Sequence, residues 1–529
     1  MSTNRKIAKA SFILIIISVL GNLLSMGKEM LAAKYFGITR SMDAFNAALT
    51  IPNYISAMMI SIFTLVFIPI FVRYKHENNP QEADRMTSIM LNFALIFLSV
   101  TALVIFLGAG NIVSYGFRGF DPSTSFVTAS LMKILCVTAV FSGIITILTS
   151  VLNSNQRFFW PSVSQLFVTL STMTLIVFFS KRWGVFVFAW GLAIGLLIQL
   201  LILAFCIKAS GFKYTFTLDL KHPGLIKTAR FAGIIIILSL ISGLTPIINR
   251  VMASWLPQGS IAAISYAEKL LLIPSTLIST SLLTVLFPFF SMQAAENKID
   301  ELKHTFASSI KMSGFIYIPL ATTMIIFAKP AIKALFQRGA FGAEATNLTS
   351  IIFICLTIQL FFSYAVAIMQ RIIFVFQDMK VLFFFTVLST AMNVLFNFIF
   401  IKLVNPPAAG IALSASTGSM LTLFVYYSII KKRLKNMHGL SILKSLTVFF
   451  FLSLVSGAVM YYFYSWFDTL IAYSAVSQTG KIGIACALGT VVYLGLSYLF
   501  KLEQASKIKE IIFEKIQNFP QNLSLRINQ

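Results

Sequence analysis

Charge is scarce in this chain. Asp, Glu, Lys and Arg make up 11% of its 529 residues, and only 17 of those are acids. Soluble domains carry about 25%. With 58% hydrophobic residues and a mean hydropathy of +0.87, a soluble class is excluded and a membrane class remains. Cysteine is scarce too. Cys136, Cys206, Cys355 and Cys486 each lie in an apolar stretch without metal-ligand spacing, which reads as four small buried hydrophobes and not a disulfide framework. The four histidines, His76, His222, His304 and His438, fall in expected loops far apart in sequence, so no zinc-type pair links them. There is no G-x-S-x-G, no P-loop and no DxD-type acidic pair. An enzyme is not expected, and any transport must draw on an ion gradient, the membrane potential or substrate flux.

What is present is a succession of long apolar runs. They predict an all-α polytopic protein of about 14 spanning helices, near 10–34, 41–72, 87–109, 128–152, 160–180, 184–206, 231–255, 265–291, 309–328, 346–369, 381–404, 408–430, 445–466 and 482–500. Residues 1–25 imitate a signal peptide, but no small-residue cleavage site follows, so they read as an uncleaved first helix. Pro246 is expected to break the seventh span. The net charge of +24 could suggest nucleic acid. Its cations lie in short loops between apolar runs, however, which is the positive-inside pattern, and no nucleic-acid partner is expected. With the N-terminus inside, about 27 of the Lys and Arg are cytoplasmic and about 14 are not. Both termini are then cytoplasmic, and 501–518 reads as a short amphipathic helix on that face.

A weak repeat divides the chain. ALTIPNYISAMMISIFTLVFIPIF (48–71) resembles KLLLIPSTLISTSLLTVLFPFF (269–290); Gln156 matches Gln377, and LST at 170–172 matches LST at 388–390, all offset by about 220 residues. This predicts two six-helix lobes, 1–215 and 216–437, with 438–529 holding two extra helices and the tail. Six is even, so the pseudo-two-fold lies along the membrane normal.

Polar groups at membrane depth carry the chemistry. Lys28 and Glu29 are adjacent after an apolar run, and the pairing returns reversed at Glu268–Lys269. Charges at such depth usually face a bundle interior or a wet cavity. With Asn22, Asn46, Asn53, Ser56, Asn249 and Arg250 they make a candidate binding set. Ammonium groups aimed into a cavity suit a phosphate or diphosphate by charge-assisted hydrogen bonds. Two plainer readings stand beside this one. Lys–Glu neutralisation could serve only to hold helices together, and Ser265 with Glu268 has the spacing of a capping box. Asn393 and Asn397, at i and i+4, suit either an interhelical hydrogen bond or a cation site of amide oxygens.

Residues 28–71 resemble the signature of the MurJ/MviN family of bacterial lipid II flippases, related to the MATE exporters and polysaccharide-lipid translocases. The matching residues are Lys28–Glu29, Ala33 to Gly37, Asp43–Ala44–Phe45, Ile51–Pro52–Asn53 and Phe67–Ile68–Pro69, with further matches at Leu152–Asn153, Arg157–Phe158, Tyr266 to Lys269 and Leu335 to Phe341. The resemblance implies a fourteen-helix transporter of the bacterial inner membrane, probing each side in turn with a cavity for an undecaprenyl-diphosphate-linked glycan lipid. It implies that Lys28, Glu29, Asn53 and Lys269 line that cavity, that the last two helices receive the polyprenyl tail, and that a sodium or other monovalent cation could sit at Asn393 and Asn397. It implies no other cofactor, and a monomer among membrane lipids. This chain departs from the family at several points: lysine replaces arginine at 28 and 269, and Asn22, Ser56 and Ala57 stand where arginines are common. Lysine lacks the planar fork that grips phosphate bidentately. An O-antigen or capsule oligosaccharide-lipid translocase is the alternative. A drug antiporter would need a buried carboxylate free of lysine, and a scaffold or glycan polymerase fits the short outer loops poorly.

Overall fold

A computed structural model of the chain describes residues 3–63, 67, 68, 71, 74, 80–219, 223–434, 437–470 and 474–506. These residues form helices and no strand. In chain order they are α1 (Thr3–Phe36), α2 (Arg40–Ile62), α3 (Pro80–Gly116), α4 (Pro122–Ser154), α5 (Phe159–Trp183), α6 (Phe186–Lys208), α7 (Pro223–Ala253), α8 (Ser260–Ala295), α9 (Ile299–Ile326), α10 (Ala328–Phe336), α11 (Ala343–Thr357), α12 (Gln359–Val375), α13 (Met379–Leu403), α14 (Pro407–Leu434), α15 (Gly439–Leu470) and α16 (Ala475–Leu499). Thirteen helical stretches among the described residues are long and apolar enough to cross a membrane, with α11 and α12 counted as one. Helix α8, 36 residues long, covers the stretch expected as a span at 265–291. The all-α polytopic expectation holds. The stretch 507–518, expected as an amphipathic helix, lies outside the described residues, as does Pro69.

Several boundaries differ from expectation for local physical reasons. Helix α7 runs unbroken through Pro246, against the expected break, and α2 contains Pro52 in line with expectation. A proline removes one ladder bond, and a surrounding bundle can absorb that. The single span expected at 346–369 is present as one crossing stretch, 343–375, which an interruption at Ile358 divides into α11 and α12. Thr357 back-bonds to the Phe353 carbonyl at 2.7 Å, and Ser416 donates to the Cys355 carbonyl at 2.5 Å. Side chains entering the backbone ladder in this way bend helices.

The chain forms two compact units. The first comprises Met1–Tyr266, Phe336–Leu348 and Thr390–Ile411. In it α5 packs on α6 and α1, and α4 packs on α2, α3 and α6. One close helix–helix seam uses Gly191 and Gly195, a G-x-x-x-G pair. A Cβ on Gly191 would stand 2.7 Å from the Thr172 Cα, and Ser171 donates to the Gly191 carbonyl at 2.7 Å. Small residues let backbones approach where lipid offers no hydrophobic drive. After α6 the backbone is extended and laid along α3. Tyr214 donates to Asn92 Oδ1 at 2.5 Å, Asn92 to the Thr217 carbonyl at 3.0 Å, and the Lys213 amide to Asp84 at 3.1 Å.

The second unit comprises Ala267–Leu335, Thr349–Ser389 and Ala412–Gln529. Helix α9 packs on α12 and α15, and α15 on α16. Phe315, Phe449, Leu452 and Tyr493 form one core cluster, and the Tyr493 hydroxyl donates to the Phe315 carbonyl at 3.1 Å. Lys481 is the largest charged side chain buried here, at 2% exposure. Its ammonium donates to Asp468 at 2.8 Å, and Gln478 donates to the same carboxylate oxygen at 2.9 Å.

Candidate functional site

Lys28 and Glu29 lie two turns before the end of α1. Neighbours in a helix point about 100° apart, yet the long lysine stem brings its Nζ to 3.1 Å from the Glu29 carboxylate. The Glu29 side chain is 5% exposed and that of Lys28 is 28% exposed. A buried carboxylate needs a partner, and here the partner's amine keeps an exposed flank. The pair is thus nearly neutral, with its donor reachable and its acid withdrawn. Tyr266 on α8 lies within electrostatic reach of Glu29.

Beside this pair runs a seam within the first unit. Asp43, 5% exposed, accepts hydrogen bonds from the backbone amides of Gly259 at 2.6 Å and Ala262 at 2.7 Å. These are orphan donors at the start of α8, so a carboxylate 216 residues upstream caps that helix. One turn on, Asn46 Oδ1 accepts from the Ser265 hydroxyl at 2.8 Å, while the Asn46 amide donates to the Met42 carbonyl at 2.8 Å. Ser265 is therefore a buried interior residue of α8 and not its cap. The capping-box reading of Ser265 and Glu268 is corrected, because α8 starts five residues earlier.

Glycines let the seam close. Gly37 (φ +55°) ends α1, and a Cβ there would run into the Ala340 carbonyl. The Ala340 amide donates to the Lys34 carbonyl at 2.9 Å. Gly339 (φ +58°) meets the same Lys34 carbonyl, and Gly259 (φ +86°) meets Ile38. Tyr266 forms an aromatic cluster with Phe336, tilted at a ring-centre distance of 5.2 Å, and Phe341, edge-to-face at 5.5 Å. At the rim, Arg40 pairs with Asp121 and donates to Gln258 at 3.2 Å. Hydrogen bonds from Ser123 and Thr124, with Arg40 adding to them, hold the Asp121 carboxyl well below the usual carboxylate range.

The other expected residues are placed as follows. Arg250 donates to the Ile261 carbonyl at 3.2 Å and faces Asp43 electrostatically; it belongs to the seam. Glu268 is exposed and Lys269 half-buried, on the third turn of α8. Asn22 is half-buried on α1 and Asn53 exposed on α2. Ser56 is half-buried and back-bonds to the Pro52 carbonyl at 2.9 Å. Asn393 and Asn397 are buried and joined by Asn249. The Asn397 amide donates to Asn249 Oδ1 at 2.7 Å and lies 3.4 Å from Asn393 Oδ1. A sodium ion wants converging oxygens, commonly with a carboxylate. Here the Asn397 amide group joins the three side chains as a hydrogen-bonded trio, Asn397 Oδ1 accepts no hydrogen bond, and no His/Cys/Asp/Glu cluster able to hold a metal occurs among the described residues.

The residues missed from sequence are Asp43, as cap, and the Asn46–Ser265 link. The signal was present, since Asp43 lies inside the motif carrying the resemblance, but nothing local pairs it with Gly259.

The family model described as "Lipid II flippase MurJ" matches residues 32–479. Among curated relatives, the "Lipid II flippase MurJ" of Burkholderia cenocepacia is 26% identical over 440 residues, covering 79% of this chain and 82% of the relative. The "Probable lipid II flippase MurJ" of Vibrio cholerae is 24% identical, covering 94% and 97%. Among solved structures, "Lipid II flippase MurJ, inward closed conformation" superposes with a TM-score of 0.75 at 21% identity, covering 92% of this chain and 98% of that one. An inward-facing MATE-family multidrug transporter reaches 0.66 at 12% identity, covering 81% and 99%. At these identities the superpositions establish the fold.

Proposed function

The chain belongs to the MurJ family of lipid II flippases, and we propose that it presents Lys28 and Lys269 as ammonium donors to the diphosphate of its cargo. It is an integral membrane transporter, and its activity is the movement of lipid II and not catalysis. The observation that carries the assignment of Lys28 is its pairing with Glu29: a withdrawn acid holds a reachable amine at 3.1 Å. The acid keeps the site near neutral, and an incoming phosphate oxygen accepts from another of the three ammonium N–H donors while the carboxylate keeps its own. Charge-assisted bonds of this kind are about twice as strong as neutral ones.

The remaining parts of the reading follow from charge and packing. The N- and C-termini are cytoplasmic, because that orientation places most Lys and Arg inside. The lobes are 1–215 and 216–437, with 438–529 appended. In this orientation the seam of Asp43, Gly37, Gly259 and Gly339 lies toward the outer face and serves as an outer gate of alternating access. Driving force comes from the membrane potential, and the asparagine trio works without a bound cation. The transporter acts as a monomer.

The test is complementation of a flippase-depleted bacterium. Lys28→Ala and Lys269→Ala are each expected to abolish growth while the protein still inserts. Full activity of both variants would overturn the head-group assignment. Native mass spectrometry of the co-purifying lipid separates lipid II from a capsule or O-antigen glycan lipid.

A further inference from the structure

The second unit contains a cavity of about 670 Å³ bounded by α9, α12, α14 and α15. Its volume falls in the range of small-ligand sites, about 300–1,000 Å³. The walls are apolar, formed by residues such as Phe306, Phe361 and Met369. The mouth is different. Lys431 from the end of α14 lies there, with His438 just ahead of α15 and Ser441 in its first turn, all three exposed. Lys311 of α9 donates to the Ser441 hydroxyl at 2.8 Å, which holds a second ammonium at the same rim. None of the described lining residues is acidic. Asp300, an acid that acts on His438, is itself bonded to Lys303 at 2.9 Å.

An apolar chamber with a cationic rim is the imprint of an amphiphile with one anionic end. We propose that this cavity binds an anionic phospholipid of the surrounding leaflet. One acyl chain lies among the aromatic walls, and the phosphate lies between Lys431 and the Lys311–Ser441 pair. Basic pockets between membrane helices take acidic head groups in this manner. A zwitterionic lipid would bring its own cation to the two ammonium groups and gain less. The site contains neither Lys28 nor Lys269, so it stands apart from the cargo assignment and survives if that assignment fails.

The test uses the full chain, delipidated in detergent and titrated with phosphatidylglycerol or phosphatidylcholine, with bound lipids counted by native mass spectrometry. One phosphatidylglycerol is expected to bind more tightly than any phosphatidylcholine. Lys431→Gln should weaken that binding about fivefold, the worth of one lysine at an anionic lipid surface. Lys431→Glu and Lys311→Met/Lys431→Gln should each weaken it further. Lys431 is exposed, so its replacement spares the packing. Equal binding of the two lipids, or phosphatidylglycerol binding unchanged in Lys431→Glu, overturns the proposal. So does stoichiometric displacement of the bound lipid by undecaprenyl phosphate, which would make the cavity part of the cargo path.

Discussion

Asp43→Asn is the sharpest perturbation the seam offers. The wild-type carboxylate accepts from two amides, at 2.6 and 2.7 Å, in a site 5% exposed. A carboxamide is nearly isosteric but has one accepting oxygen, so its NH2 must face one of the two amide donors. Leaving one buried donor unsatisfied costs about 1–3 kcal/mol. If that cost falls on the closed arrangement alone, the fraction of molecules with this seam parted rises about 5- to 150-fold. Asp43→Ala loses both acceptors and about twice the free energy. The assay is cysteine labelling. Met42 is buried beside Asp43 on α2, and Met42→Cys in a background lacking the four native cysteines places a thiol at the seam without overfilling it. A membrane-impermeant maleimide should then react faster in the order wild type, Asp43→Asn, Asp43→Ala. Equal rates in all three would refute the idea that the cap of α8 holds the seam shut.

The remaining expectations come from separate features. Lys28→Arg should retain complementation where Lys28→Ala loses it, because a fork can replace a point charge at a phosphate; failure of both would place the role of Lys28 in packing. Asn46→Ala with Ser265→Ala should show a coupling of about 0.5–1.5 kcal/mol in a double-mutant cycle read by the same labelling rate, and strict additivity would deny the bond. Gly37→Ala should disable the protein, since strain of about 1–2 kcal/mol in the left-handed region adds to a collision with Ala340. Gly184→Ala, at φ +51° with nothing near its Cβ, should carry the strain alone and stay active. Asn397→Asp should create sodium-dependent protection against proteolysis by giving the trio a carboxylate, and no sodium effect would count against that account of the site.

The helices were legible because hydropathy over about 20 residues is a strong signal, and the observed spans follow it to within a few residues in most places. Their irregularities were not. Pro246 looked like a break, yet the ladder tolerates the loss of one bond inside a bundle. Ile358 looked unremarkable in sequence, yet Ser416, 61 residues downstream of Cys355, takes the carbonyl that matters. The site divides in the same way. Lys28 and Glu29 were readable because adjacent charges after an apolar run are expensive. The cap of α8 was not, because a local S-x-x-E pattern at Ser265 offered a nearer candidate than Asp43, which reaches the helix only through the tertiary fold.

Lys481 bears on how the protein is made. A lysine in a lone hydrophobic helix costs free energy to place in a bilayer, more the deeper it lies, and α16 contains this one two turns from its start. The relief comes from Asp468, near the end of the preceding helix. Neither helix is fully matched to lipid by itself, so the two favour leaving the translocon together as a hairpin. A ribosome stalled before residue 481 would leave an acid waiting for its base at the membrane edge.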